Sequence, residues 1–332
     1  MSDATQVSTK SRSWFADFVK DKELFVASIL MVIVFGVAGT RFFTLDNIAN
    51  ILRSVSIGGI LTLGLSFVMI AGDFDLSFGT AAGLLVVIEM IMLDRGVNMI
   101  VVFLVMMTLG ILWQFINAVL VVKVKMPAFI ATIATWNMAR GLIFWITKGK
   151  TFYGDYPDAF ALVGRENVLV FLPICAIVFA ALGFLAYMLG NHTKFGRHLY
   201  AVGGNPEASR YAGINSDRVR ITAFLMSGLA VGVSSIILGS ELCCAPAGAG
   251  DSFQMQAIAA AYLGATVFKP GSVNIGGSIL GSFLLVIIEN GLVMMNVPFY
   301  YKYLIQGLII VGAVSFITIK KRNSSIAIQS KI

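Results

Sequence analysis

Apolar residues run along this chain in long blocks, separated by short clusters of Gly, Pro, Asn and charge. A helix needs about 20 apolar residues to cross a bilayer. That length predicts ten spans, at roughly 24–43, 48–71, 76–93, 99–122, 127–147, 168–190, 219–240, 254–268, 272–293 and 300–319. The eighth is short and rich in Ala and Gly, a candidate for a re-entrant or broken segment. One polar, turn-rich stretch, 191–218, stands out against the apolar flanks.

Composition agrees with that pattern. The 332 residues are 58% hydrophobic and 12% charged, with a mean hydropathy of +0.88. Soluble domains carry about 25% charge, so an ordinary water-soluble fold is excluded. The expected fold is an all-α, polytopic membrane protein. The first apolar run is long and lacks a small-residue cleavage site, so it reads as a retained span rather than a signal peptide. Ahead of it, Trp14, Phe15 and Phe18 beside Lys20 and Lys22 suit either an interfacial helix or a disordered tail.

The net charge of +7 is explained by its distribution. With the N-terminus cytoplasmic, sixteen Lys and Arg residues fall on the inner side, among them Lys123, Lys194, Arg210, Arg220 and Lys320. Six fall on the outer side: Arg41, Arg95, Lys148, Lys150, Arg165 and Lys302. The bias obeys the positive-inside rule. It places both termini and 191–218 in the cytoplasm, and it names a lipid bilayer rather than nucleic acid as the partner of the basic charge. The expected organisation is a cytoplasmic segment 1–23, a membrane domain 24–319 containing the loop 191–218, and a cytoplasmic tail 320–332.

Candidate chemistry is sparse. Cys175, Cys243 and Cys244 have no metal-ligand spacing, and the two histidines, His192 and His198, fall in the polar loop. No metal site or histidine chemistry is expected within the membrane. Many of the 33 glycines lie inside apolar runs, where small residues let helix backbones approach closely. "MIAGDFDLSFGT" (69–80) and "LGATVFKPGS" (263–272) hint at an internal repeat, a common transporter feature.

Polar residues inside the spans are informative, because an ionised group at membrane depth usually faces the bundle interior or water. They are Asp73, Asp75, Glu89, Gln114, Asn117, Thr132, Thr135, Asn137, Arg140, Glu289 and Asn290. Asp75, Gln114, Asn117, Thr132, Thr135 and Asn137, with Trp136 beside them, suit an uncharged polyol and are the candidate substrate-pathway residues. Asp75 also sits where it can cap the helix that follows. Asp73, Asp75 and Glu289 keep a second reading open, a stand-alone transporter coupled to protons or sodium.

The polar stretch carries a complete helix code. Asn205 is an N-cap, and Pro206 at the first helical position loses no bond. Glu207 favours the positive helix start, and Gly213 supplies the stop. The code predicts a helix over 206–212. Helices this short are marginal alone in water. Docking on the protein's own helix ends, or in a groove of a cytoplasmic partner, would supply the missing stability.

Four blocks then carry a resemblance: "GDFDLSFGTAAGL", "MPAFIATIATWNMARGL", "GRHLYAVGGNPEASRYAGIN" and "IAAAYLGATVFKPGSVNIGGSILGS". In this order, over about residues 45–318, they resemble the branched-type permeases of the ribose, galactose and xylose ABC importers. The resemblance implies a type II ABC-importer permease of the bacterial inner membrane. It implies a second permease subunit, identical or paralogous, two cytoplasmic ATPases and an extracytoplasmic substrate-binding protein. Asn205, Glu207, Ala208, Ser209, Arg210, Tyr211 and Gly213 match the loop that docks on the ATPase. Gly72-Asp73-Phe74-Asp75 and Gly264-Ala265-Thr266-Val267-Phe268-Lys269 depart from that family's usual "GGIDLS" and "GGTSLAGG". No P-loop occurs in the chain, so this subunit is expected to bind no cofactor and to catalyse no reaction. ATP and Mg would be used by the partner ATPase.

Overall fold

The computed structural model describes residues 23–38, 41–169, 171–266 and 272–329. The aromatic N-terminal segment (Trp14, Phe15, Phe18), the residues Val267, Phe268 and Lys269, and the last residues of the tail lie outside them. The element order is α1 (Glu23–Ala38), α2 (Leu45–Ile70), α3 (Phe78–Asp94), α4 (Met99–Ala118) and α5 (Ala128–Thr147). Then come α6 (Asp158–Arg165), β1 (Asn167–Leu169), β2 (Leu172–Pro173), α7 (Ile174–His192), α8 (Lys194–Gly204) and α9 (Pro206–Tyr211). The last four are α10 (Ser216–Leu242), α11 (Asp251–Gly264), α12 (Ile275–Met294) and α13 (Tyr300–Gln329).

Six of these helices are long and apolar enough to cross a membrane: α2, α4 with its π-turn to Lys123, α5, α7, α10 and α12. Helices also occupy the other four expected segments, but α11 has 14 residues, too few to span unaided. The sixth expected span begins later than its hydropathy suggests. There β1 pairs antiparallel with β2, and Pro173 stands immediately before the first helical residue.

The long helices α2 and α10 form the centre. Most of α2 is buried (78% of its span window), against 22% for α4 and 28% for α5. Large apolar side chains such as Leu104, Leu112, Phe129 and Trp145 point outward from those two helices. Inside α2 the hydroxyls of Ser56, Thr62 and Ser66 donate to carbonyls four residues back, which satisfies polar groups in an apolar bundle. Close backbone approach sets the packing. A Cβ on Gly228 of α10 would lie 2.6 Å from the Gly110 carbonyl of α4. Gly264 of α11 and Gly277 of α12 are pressed together in the same way, and neither contact has room for a side chain.

One end of the bundle carries α8 and α9, and the opposite end carries α6 and the hairpin. There, Arg165 donates to the carbonyls of Glu241 (2.8 Å) and Leu242 (3.1 Å), locking α6 onto the end of α10.

Candidate functional site

The loop end is built on local caps. The Asn205 side chain accepts from the backbone N–H groups of Glu207 (3.1 Å) and Ala208 (3.0 Å), and Pro206 is the first residue of α9. The helix ends at Tyr211, one residue sooner than the code suggests, and Gly213 follows at φ +81°. That left-handed geometry is cheap only for glycine. Ser209 is buried, with its hydroxyl on the Asn205 carbonyl (2.9 Å). Arg210 pairs with Asp217 at 3.0 Å. Glu207, Ala208 and Arg210 are exposed, and Tyr211 is 93% exposed, so α9 presents one open face.

Beneath it lies α8, a helix that the sequence pattern did not reveal. Its Gly203 is pressed against the Ile70 carbonyl at the end of α2, with no room for a Cβ. A bidentate ion pair adds a second tie. Arg220 of α10 donates to both oxygens of Asp73, at 2.7 and 2.6 Å. The α2–α3 turn is thus gripped by both α8 and α10.

That turn leads directly into a buried polar network. Asp75 accepts from the Ser77 N–H (2.7 Å), the Ser77 hydroxyl (2.8 Å) and the Gln114 amide. Asn117 donates to the Ser77 hydroxyl (2.7 Å) and to Gln114 Oε1 (3.0 Å), and Thr135 donates to Asn117 Oδ1 (2.7 Å). Thr132 closes the set near the Phe74 carbonyl. Asp75 does not cap the first turn of α3 as expected. Its backbone partner is Ser77, which precedes the helix, so it closes an Asx-type turn. The structure therefore joins Asp75, Gln114, Asn117, Thr132 and Thr135, and adds Ser77. It separates Asn137, which is exposed and, among the described residues, bonded only to the Ile133 carbonyl (3.1 Å). Two residues along a helix turn a side chain by about 200°, which carries Asn137 away from Thr135. Trp136 lies between those faces, with the Arg140 guanidinium 5.3 Å above its ring.

A cavity of about 790 Å³ opens beside this turn. Its walls include Gly72, Asp73 and Phe74 of the turn, Tyr200 and Gly203 of α8, and Tyr262 of α11. Burial holds the Tyr200 hydroxyl above the usual phenol range, so it stays protonated. Tyr200 and Tyr262 were not singled out from sequence, because each sits singly in an otherwise unremarkable stretch.

The family model of the branched-chain amino acid transport system permease component matches residues 47–314. The chain belongs to that family. The permease is 32% identical over 303 residues to the ribose import permease of Haemophilus influenzae, covering 90% of this chain and 93% of that one. It is 32% identical to the ribose import permease of Bacillus subtilis, over 87% and 90% of the two chains. It is 31% identical to an autoinducer 2 import system permease of Yersinia pseudotuberculosis, over 88% and 82%. No solved structure matches it. With its apolar helices, this makes it a multi-pass transport protein of the bacterial cell membrane.

In this permease the carboxylates offered for ion coupling are already engaged. Asp73 is paired with Arg220, and Asp75 belongs to the network. Glu289 accepts from Lys302 (2.8 Å) and from the Gln306 amide (2.6 Å). Glu89 differs. It is fully buried against Gly239 of α10, and neither carboxyl oxygen has a hydrogen-bond partner among the described residues. Asn290, which follows Glu289 in the chain, is paired reciprocally with Asn47 at 2.9 and 2.8 Å.

Proposed function

We propose that this permease is the membrane subunit of an ATP-binding-cassette importer for a sugar or a related polar small molecule. An extracytoplasmic binding protein delivers the solute, a second permease completes the pathway, and cytoplasmic ATPases dock on α9. The observation that carries this reading is the open face of α9 (Glu207, Ala208, Arg210, Tyr211), set on α8 and tied to the α2–α3 turn. The named activities of the ribose and autoinducer 2 relatives support the solute class.

The contacts supply a route for force. Closure of the ATPases moves α9 and with it α8. Gly203 pushes on the end of α2, and Asp73 transmits the shift to α10 through Arg220. The Asp75 network carries the displacement of the turn to α4 and α5, so the cavity opens to one side or the other. Such packed contacts favour two discrete arrangements over continuous bending. The reading places α8, α9 and both termini in the cytoplasm, in line with the distribution of Lys and Arg. Substrate would pass close to Asp75, Gln114, Asn117, Thr132, Thr135 and Trp136. The ATP and Mg belong to the ATPase subunits.

The test is reconstitution in liposomes. Uptake of labelled D-ribose, D-xylose or D-galactose should require the ATPase, ATP and the binding protein together. Uptake by the permease alone, driven by a proton or sodium gradient, would sink the reading. It would restore the ion-coupled alternative, to which the paired states of Asp73 and Glu289 give no support.

A further inference from the structure

A charged pair stands where lipid would not tolerate it. Arg140 is the thirteenth residue of α5, about 18 Å from one end of that helix and about 10 Å from the other at 1.5 Å per residue. A bilayer core is about 30 Å thick, so this guanidinium lies at membrane depth. Its partner is Asp251, the first residue of the short α11. Both side chains are 42% exposed on the single chain. Charges at that depth face an aqueous path or another protein surface, since hydrocarbon is a poor home for either.

The pair is also loose. Arg140 Nη1 and Asp251 Oδ2 are 3.9 Å apart, against 2.6 Å for Arg220–Asp73 and 2.8 Å for Lys302–Glu289. A gap of 3.9 Å is beyond hydrogen-bond reach. One hydroxyl placed between them could accept from the guanidinium and donate to the carboxylate, gaining two charge-assisted bonds. The surroundings are rigid. Gly250 and Gly79 are in such close contact that neither has room for a Cβ, which fixes the start of α11 against α3. The Thr80 hydroxyl lies 3.2 Å from Asp251 Oδ1 and 3.4 Å from Gln254 Oε1, holding the carboxylate from behind. On the other side, Arg140 is flanked by the rings of Trp136 (5.3 Å) and Phe144 (5.6 Å). An acceptor, a forked donor and an aromatic face match the two surfaces of an uncharged polyol: its hydroxyl rim and its C–H face.

Resting on the sugar-importer reading, we infer that Arg140, Asp251 and Trp136 form a polyol contact site on the translocation path. The site is distinct from the Asp75 network, whose groups are already saturated by one another.

The test uses the complete transporter in liposomes, with its ATPase and binding protein, and D-ribose as probe. Arg140→Gln and Asp251→Asn should each cut uptake at least tenfold while ATP hydrolysis stays within about twofold, so that sugar moved per ATP falls. The exchanged pair Arg140→Asp with Asp251→Arg separates the roles. It should restore thermal stability but not uptake; recovery of uptake would make the pair a structural tie and overturn the inference. Accessibility provides a readout that stability cannot move. With Cys175, Cys243 and Cys244 replaced by Ala, Met255→Cys, an exposed position one turn along α11 from Asp251, should react with a membrane-impermeant methanethiosulfonate. Ribose at 100 mM should slow that reaction at least threefold relative to equal 1,2-dimethoxyethane, which has neither hydroxyl nor charge. No reaction, or equal rates in both solutes, would refute the site. If the wild-type complex takes up none of D-ribose, D-xylose and D-galactose, the importer reading itself fails and the site falls with it. Wild-type uptake with unaltered variants refutes the site alone.

Discussion

The α9 helix and the Asp75 network are two polar constructions in this permease, and they are made in opposite ways. The helix is written in nine consecutive residues, Asn205 to Gly213, with its cap and its stop formed locally. The network draws on the α2–α3 turn, α4 and α5, with partners up to 58 residues apart. One leaves a face open to the surroundings, and the other leaves nothing open. A group built for docking can be changed at its surface with little loss of stability. A group built for holding cannot.

That contrast sets the expected ranking of substitutions. The largest effect belongs to Arg220→Met, which strands the almost fully buried Asp73 without its counter-charge. Loss of about 3–5 kcal/mol is expected, read as a fall in detergent melting temperature; a melting curve like wild type would mean the turn is not held by this pair. Next is Asp75→Asn, which sets an amide N–H group against the Gln114 amide that now donates to Asp75. About 1–3 kcal/mol should be lost, and Gln114→Glu in the same chain should recover part of it by restoring a donor–acceptor match. Asn205→Ala ranks third. Removing the cap costs about 1 kcal/mol, confined to α9, so faster amide exchange at Glu207 and Ala208 should appear without a shift of global melting. Smallest in stability is Tyr211→Ala, within about 0.5 kcal/mol because the ring touches solvent. Its effect should appear only in ATPase recovery, and equal recovery would remove Tyr211 from the docking face.

The same contrast explains what could be read from the chain. The α9 helix was legible because capping is a local code, and the apolar runs were legible because bilayer thickness sets their length. The amphipathic α8 was missed. Its Gly203 and Gly204 look like a stop signal, whereas Gly203 is there to let α8 touch α2. The residues of the Asp75 network could be named singly, yet not paired, since Gln114 and Asn117 lie 39 and 40 positions from their partners Asp75 and Ser77. Asn137 was grouped with Thr135 by proximity in sequence, and helical geometry places the two on different faces. Ser77, the hub between Asp75 and Asn117, gave no signal beyond lying in a turn.

The claim at the centre of this account is that the open face of α9 receives the ATPase. It is tested most directly by co-purifying the permease with its neighbouring ATPase, using wild type and the variant Glu207→Arg with Tyr211→Asp. Both substituted residues are exposed and leave the Asn205 cap intact. The account predicts at least tenfold less ATPase recovered with the variant at an unchanged melting temperature. Undiminished recovery would contradict it.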